Sequence, residues 1–228
     1  MNGKERAAAA ALQYVRDGMV VGAGSGSTAQ VFLEMLAGRI REEGMEVSIV
    51  PTSSEVEVNA VRLGIGGLVR QLWQVDRIDV AIDGADAIDA RRNLIKGGGG
   101  ALTREKIVDY WASSFIVIAD EGKVVANIPG GRPIPIEVLP FAWRAVKEAV
   151  ERRLGGEARL RIGSDKRGPV VTDNGNYVLD YVHPLEEIDV GAERELKSIP
   201  GVVEVGIFNG SKVSKAIIGT ETGVSIME

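Results

Sequence analysis

The sequence predicts an α/β protein: a Rossmann-like, mostly parallel sheet with helices on both faces, joined to a smaller α+β, ferredoxin-like domain. Short apolar runs alternate with stretches of helical spacing through the first half of the 228 residues, and a glycine loop follows the first such run. A break rich in proline and glycine near residue 130 then precedes a change of pattern.

The elements follow in order. Residues 4–16 carry helix formers, and Met19-Val-Val-Gly-Ala23 reads as a buried strand that runs into Gly24-Ser-Gly-Ser-Thr28 and a helix over 29–41. Residues 47–50 repeat the strand signal, 53–63 have helical spacing, and 78–82 give another strand. Helical spacing returns over 102–113, with Leu102, Ile107 and Trp111 roughly on one side, before a strand at Phe115-Ile-Val-Ile-Ala119. This alternation predicts parallel strands covered on both faces. Pro129, Gly130, Gly131, Pro133, Pro135 and Pro140 mark a crossing between domains. Beyond it the pattern gives a helix over 141–154, strands near 158–162, 170–172 and 177–181, a helix over 186–198 and a strand at 202–207. The last strands, 215–218 and 224–227, return to the first domain. The division expected is therefore 1–128 with 208–228 as the catalytic domain, and 129–207 as the small one.

Composition narrows the function. A net charge of −5 and a pI near 5.2 supply no general attraction for nucleic acid or an anionic membrane surface, so any phosphate site has to be local. Cysteine is absent, which excludes disulfides, thiolate metal ligands and cysteine nucleophiles. The single histidine, His183, serves a Ser-His-Asp triad only if it lies beside an activated serine; it reads as structural. The five alanines before Leu12 are too short an apolar run for a signal peptide, and no stretch approaches the ~20 apolar residues of a membrane span. A cytoplasmic protein is expected.

Three motifs carry chemistry. Gly24-Ser-Gly-Ser-Thr28, between a strand and a helix, offers backbone N–H groups, hydroxyls and a helix N-terminus suited to a phosphate. The string Gly24-x-Gly26-x-x-Ala29 also fits a dinucleotide fingerprint, but the second strand ends Ile49-Val-Pro-Thr52 with no acid to grip a ribose diol; a plain tight turn is the third reading. Asp83 and Asp86, three residues apart at the end of a buried strand, suit proton handling or sugar hydroxyls. They equally suit turn capping, while a metal would find no His or Cys among them. In Lys96-Gly97-Gly98-Gly99-Gly100 four successive glycines cost backbone entropy if ordered, which N–H groups wrapping an oxyanion would justify; a flexible surface linker is the alternative, and the position between a strand-end loop and a helix argues against it. Glu105 falls near the first turn of the next helix, either as a carboxylate facing the positive helix end or as part of a solvated Arg104-Glu105-Lys106 face. Asp173-Asn-Gly-Asn176 reads as a turn between strands.

Together these residues resemble the A-type ribose-5-phosphate isomerase family. The matching strings are Gly22-Ala-Gly-Ser-Gly-Ser-Thr-Ala29, Asp83-Gly-Ala-Asp86, Leu94–Lys106, Pro135-Ile-Glu-Val-Leu-Pro140, Val171–Asn176 and Ile199–Phe208, in the family's order over nearly the whole chain. The resemblance implies interconversion of ribose 5-phosphate and ribulose 5-phosphate in the non-oxidative pentose phosphate pathway, with no metal or organic cofactor. It implies Glu105 as the base, Asp83 assisting ring opening, Asp86 on the sugar hydroxyls, and Lys96 with the N–H groups of Gly97, Gly98 and Gly99 stabilising an enediolate oxygen. Ser25, Gly26, Ser27 and Thr28 resemble the phosphate and substrate loop, Gly84 and Ala85 complete the Asp83 string, and Lys4 and Lys123 are candidate outer contacts. Ser25 stands where the family often has Thr, Ala87 where Glu is frequent, and Gly122 where Ser is frequent before Lys123. The resemblance also implies a homodimer or homotetramer whose contacts the small domain supports. Deaminases, lactonases and CoA transferases of similar fold lack the Lys-glycine-Arg-Glu-Lys arrangement.

Overall fold

The computed structural model describes residues 1–164 and 167–228. In chain order its first elements are α1 (Gly3–Leu12), β1 (Val20–Ala23), α2 (Ser27–Glu43), β2 (Ser48–Pro51), α3 (Ser54–Arg62), β3 (Val80–Asp83), β4 (Ala87–Ile88), β5 (Leu94–Ile95), α4 (Leu102–Trp111) and β6 (Phe115–Asp120). Then follow β7 (Ile134–Val138), α5 (Trp143–Leu154), β8 (Glu157–Leu160), β9 (Tyr177–Val182), α6 (Ala192–Lys197), β10 (Val202–Val205), β11 (Ile207–Phe208), β12 (Lys215–Gly219) and β13 (Val224–Met227). Packing divides the chain into two compact units, one of residues 1–85, 104–123 and 211–228, the other of 86–103 and 124–210.

The first unit holds a six-stranded sheet in the order β13-β12-β6-β3-β1-β2, parallel except for β13. Its central strands are apolar runs because both faces are covered: all four residues of β3 and the first five of β6 are buried. Ala7, Phe32, Leu36, Ile49, Ile82 and Ile118 belong to one core of strand and helix residues. The strand order reverses at β1, which β2 flanks on one side and β3 on the other, and ligands of open α/β sheets bind outside the carboxyl ends of strands at such a point. The ends of α2 are set by glycines: Gly26 precedes it, and Gly44 closes it in the left-handed conformation at φ 68°.

The second unit is built on an antiparallel sheet, β10-β7-β9-β8, whose chain order β7-α5-β8-β9-α6-β10 is the split βαβ arrangement expected from the sequence. Alternation explains its two faces. Ile134, Ile136 and Val138 of β7 join Val146, Ala158, Leu179, Tyr181 and Leu196 in a separate core, while Pro135 and Glu137 turn the other way. A three-stranded sheet, β11-β5-β4, completes the unit.

Several expectations differ from the observed elements, and the helix expected over 186–198 is found only at Ala192–Lys197. The proline-rich stretch read as a crossing contains β7, where Pro135 is tolerated because its edge lies past the last β10 pair, Val205 with Ile136, and its carbonyl accepts from Gly206 at 2.7 Å. The single strand expected at 202–207 is two, since the chain leaves β7 at Gly206 and pairs Ile207 with Ile95 in the other sheet. Residues 170–172 make only an isolated bridge, Val171 with Tyr177. The sequence puts the divisions at 128/129 and 207/208, whereas packing assigns 86–103, 124–128 and 208–210 as well to the second unit. Ala87, Ile95 and Ile128 bury themselves in that unit's core.

Candidate active site

In the first unit, the candidate residues gather at the carboxyl edge of the parallel sheet. Asp83 is the last residue of β3 and fully buried. Its Oδ1 accepts the N–H groups of Ser25 at 3.0 Å and of Gly84 at 2.6 Å, tying the loop after β1 to the loop after β3. Gly24 is required by this approach, because a Cβ there would overlap the Asp83 carboxyl and Cα. The Ser25 hydroxyl lies 2.7 Å from Thr52 Oγ1 and 2.7 Å from Ser53 Oγ. Thr52 and Ser53, which follow β2 and were not singled out in the sequence, thus extend the hydroxyl cluster from the β1 loop to the end of β2. The signal was present, in that Thr52-Ser-Ser54 leads into a helix just as Gly24–Thr28 does, and Ser53 accepts the Val56 N–H to cap α3.

Gly26, at φ 86°, opens α2 without a side-chain cap, and no acidic residue lies in the helix's first turn. Backbone N–H groups at that end and the Ser27 hydroxyl make a setting for an anion. Lys4 reaches it from α1, donating from Nζ to Ser27 Oγ at 2.8 Å. The end of β2 offers the Thr52 and Ser53 hydroxyls where a dinucleotide site would place an acid.

Glu105 is in the first turn of α4 and 5% exposed, as is Lys106. α4 carries the chain back to the start of β6, so its N-terminus sits at the carboxyl edge of the sheet. Val108 packs where a side chain on Gly22 of β1 would stand, and Glu105, one turn earlier, shares that face of the helix. The alternative of a solvated Arg104-Glu105-Lys106 face is therefore not what is found. Lys123 follows β6 at the same edge and is partly exposed.

In the second unit, Asp86 donates its N–H to Ile95 O at 2.8 Å and accepts the Gly98 N–H on Oδ2 at 2.7 Å. The glycine run is a tight turn, with Gly97 at φ 99° and the Gly100 N–H on Gly97 O at 2.9 Å. Gly98 and Gly99 are exposed, while Lys96 is 2% exposed with Nζ 5.5 Å from the Phe208 ring centroid. Arg161 and Asp180, absent from the sequence reading, brace the turn: Arg161 Nη1 donates to the carbonyls of Gly97 and Gly98 at 3.1 and 2.9 Å.

The buried Glu137 collects Thr172 Oγ1 and Asn176 Nδ2, each at 2.8 Å, with Asn174 Nδ2 at 3.2 Å and Thr103 Oγ1 at 2.5 Å. The Asp173–Asn176 stretch is a turn as expected, and Thr172 before it with Asn174 and Asn176 within it serve this carboxylate. His183 Nδ1 lies 2.9 Å from Tyr181 Oη, a structural pairing. Burial pushes the Tyr181 phenol up to about 12 and the His183 imidazole below its usual 6.5. Among the described residues, no three His, Asp or Glu side chains gather in a group able to hold a metal ion. Nor is any described helix long and apolar enough to cross a membrane.

The family model described as ribose 5-phosphate isomerase A (phosphoriboisomerase A) matches residues 48–223. The ribose-5-phosphate isomerase A of Methanothermobacter thermautotrophicus is 48% identical over 227 residues, covering 100% of this chain and 98% of its own. The solved structure of ribose 5-phosphate isomerase A from Methanocaldococcus jannaschii aligns with a TM-score of 0.93 at 45% identity, over 99% of this chain and 97% of the other. A solved D-ribose-5-phosphate isomerase in complex with phospho-erythronic acid aligns with a TM-score of 0.94 at 43% identity, over all of both chains. The α/β sheet, the split βαβ unit and the full-length match agree, and the chain belongs to the ribose 5-phosphate isomerase A family.

Proposed function

We propose that this chain interconverts ribose 5-phosphate and ribulose 5-phosphate, moving a proton between C2 and C1 through a cis-enediolate. The observation that carries the reading is the buried Glu105 at the sheet edge where Asp83 and the Ser25–Thr28 loop also lie. Glu105 takes the proton from C2 and delivers it to C1, while the hydroxyl proton of O2 passes to O1. Electrons only redistribute within the sugar, so the reaction as written needs no redox cofactor.

The Ser25–Thr28 loop and the α2 N-terminus take the phosphate, with Lys4 and Lys123 as outer cations. Asp83 assists opening of the furanose, aided by the adjacent backbone of Gly84 and Ala85. Asp86 holds sugar hydroxyls. Lys96 and the glycine-run N–H groups stabilise the oxygen on which charge develops, the kind of preorganised electrostatic help that is often the largest catalytic contribution. A relative solved with phospho-erythronic acid, a phosphorylated sugar acid, supports a ligand of this class. The assembly proposed is a homodimer or homotetramer with contacts from residues 129–207, in the cytoplasm.

Purified protein should convert ribose 5-phosphate and leave unphosphorylated ribose untouched. A folded protein that converts neither would overturn the reading, and one that converts both would remove the phosphate loop from it.

A further inference from the structure

We propose that Arg161 is a positioning residue for this reaction, holding the turn at Gly97–Gly99 from behind so that the Gly99 N–H meets the developing oxyanion. The inference rests on the isomerase reading and goes beyond it by naming what fixes the turn. Arg161 extends β8 by one residue, its N–H bonding Val178 O at 2.8 Å, and Asp180 on β9 is its diagonal cross-strand neighbour. Both side chains lie on the sheet face opposite the core of Ala158, Leu179 and Tyr181.

The guanidinium divides its donors. Nε and Nη2 form a fork on the Asp180 carboxylate at 2.8 and 2.5 Å, which locks the plane of the group. Nη1, so oriented, donates to Gly97 O at 3.1 Å and Gly98 O at 2.9 Å. On the other side of the turn the Gly98 N–H donates to Asp86 Oδ2 at 2.7 Å.

The peptide between Gly97 and Gly98 is thus held with its carbonyl on a cation and its N–H on a carboxylate. The next peptide has its carbonyl on the same cation, and its N–H belongs to the exposed Gly99. A cation on a carbonyl polarises the amide and strengthens its N–H as a donor. Four glycines have no side chains with which to hold a shape, so the turn needs an external brace. Lysine cannot replace this arginine: three donors radiating from one point do not make a carboxylate fork and reach two carbonyls together.

The competing reading is an ordinary ion pair between neighbouring strands. Its side chains are 16% and 24% exposed, and its loss would affect stability alone. The test compares wild type, Arg161→Lys and Asp180→Asn for kcat and KM on ribose 5-phosphate, for melting temperature, and for inhibition by phospho-erythronic acid. The carboxylate of that acid imitates the two oxygens of the enediolate.

Displacement of catalytic groups by about an ångström costs roughly 10²-fold, so Arg161→Lys should lower kcat by about 10- to 100-fold with KM changed by less than about threefold. The inhibition constant should rise by the same factor as kcat/KM falls, and Asp180→Asn should fall between Arg161→Lys and wild type on both measures. Wild-type kcat in Arg161→Lys, or a loss of kcat without the matching rise in the inhibition constant, would overturn the proposal. Should Arg161→Lys fail to fold, Asp180→Asn decides by the same two readouts. An inactive wild type would overturn the isomerase reading instead, which separates the two failures.

Discussion

Replacing Glu137 with alanine removes two acceptors on which four donors converge inside the second unit. The side chain is 0% exposed, and Thr172, Asn174, Asn176 and Thr103 supply its partners. Two of these are hydroxyls, which reorient when a partner is lost. Asn174 is exposed and its amide can turn to water, but Asn176 is buried, and a buried donor left without an acceptor costs ~1–3 kcal/mol. With the void left by the carboxyl group, Glu137→Ala should destabilise the chain by roughly 3–5 kcal/mol. At about 2–4 °C per kcal/mol for a chain of this size, the melting temperature should fall by roughly 6–20 °C. Glu137→Gln keeps one oxygen for Thr172, Asn174 and Asn176 and turns its amide toward Thr103, whose hydroxyl then accepts. It should cost less than about 1.5 kcal/mol. Thermal unfolding followed by circular dichroism on the three proteins is the assay. A drop below about 2 °C for alanine, or a glutamine variant as unstable as alanine, would refute the reasoning that these hydrogen bonds hold the unit.

Further outcomes follow from the same geometry. Gly24→Ala pushes a methyl into Asp83 and should cost roughly 1–3 kcal/mol of stability together with most of the turnover, measured by melting and steady-state kinetics; normal values for both would mean that the β1 and β3 loops are not coupled there. Burial lowers the His183 pKa below its usual 6.5, so the unfolded chain takes up that proton first as pH falls. The stability it contributes is complete above pH 6.5 and is lost as pH falls through the folded value; His183→Gln should flatten that part of a stability–pH curve, and an unchanged slope would contradict it.

The first unit was legible because parallel strands buried on both faces read as unbroken apolar runs, as in Val80–Asp83 and Phe115–Asp120. The helices after β1 and β3 were legible for a related reason, since glycine loops and a first-turn Glu105 mark their starts. β7 was hidden by Pro135, whose missing donor is harmless only because of where β10 stops pairing, a fact of tertiary structure. Thr52 meets Ser25 across 27 positions, and Arg161 meets Gly97 across 64. No local pattern announces contacts of that range. Glu137 sits within the Pro135–Pro140 string, yet its partners lie 34 to 39 positions away, and only the folded sheet shows why a carboxylate belongs in an apolar strand.

The central claim is that Glu105 is the base of a metal-free aldose–ketose isomerisation. The measurement that tests it most directly is conversion of ribose 5-phosphate to ribulose 5-phosphate by wild type and Glu105→Gln, both in chelator, with melting curves beside them. The account expects rapid conversion by wild type and a loss of roughly 10²–10⁴-fold in a folded Glu105→Gln protein. Near-normal turnover by that variant, or wild-type activity abolished by chelator and restored by a divalent ion, would contradict it.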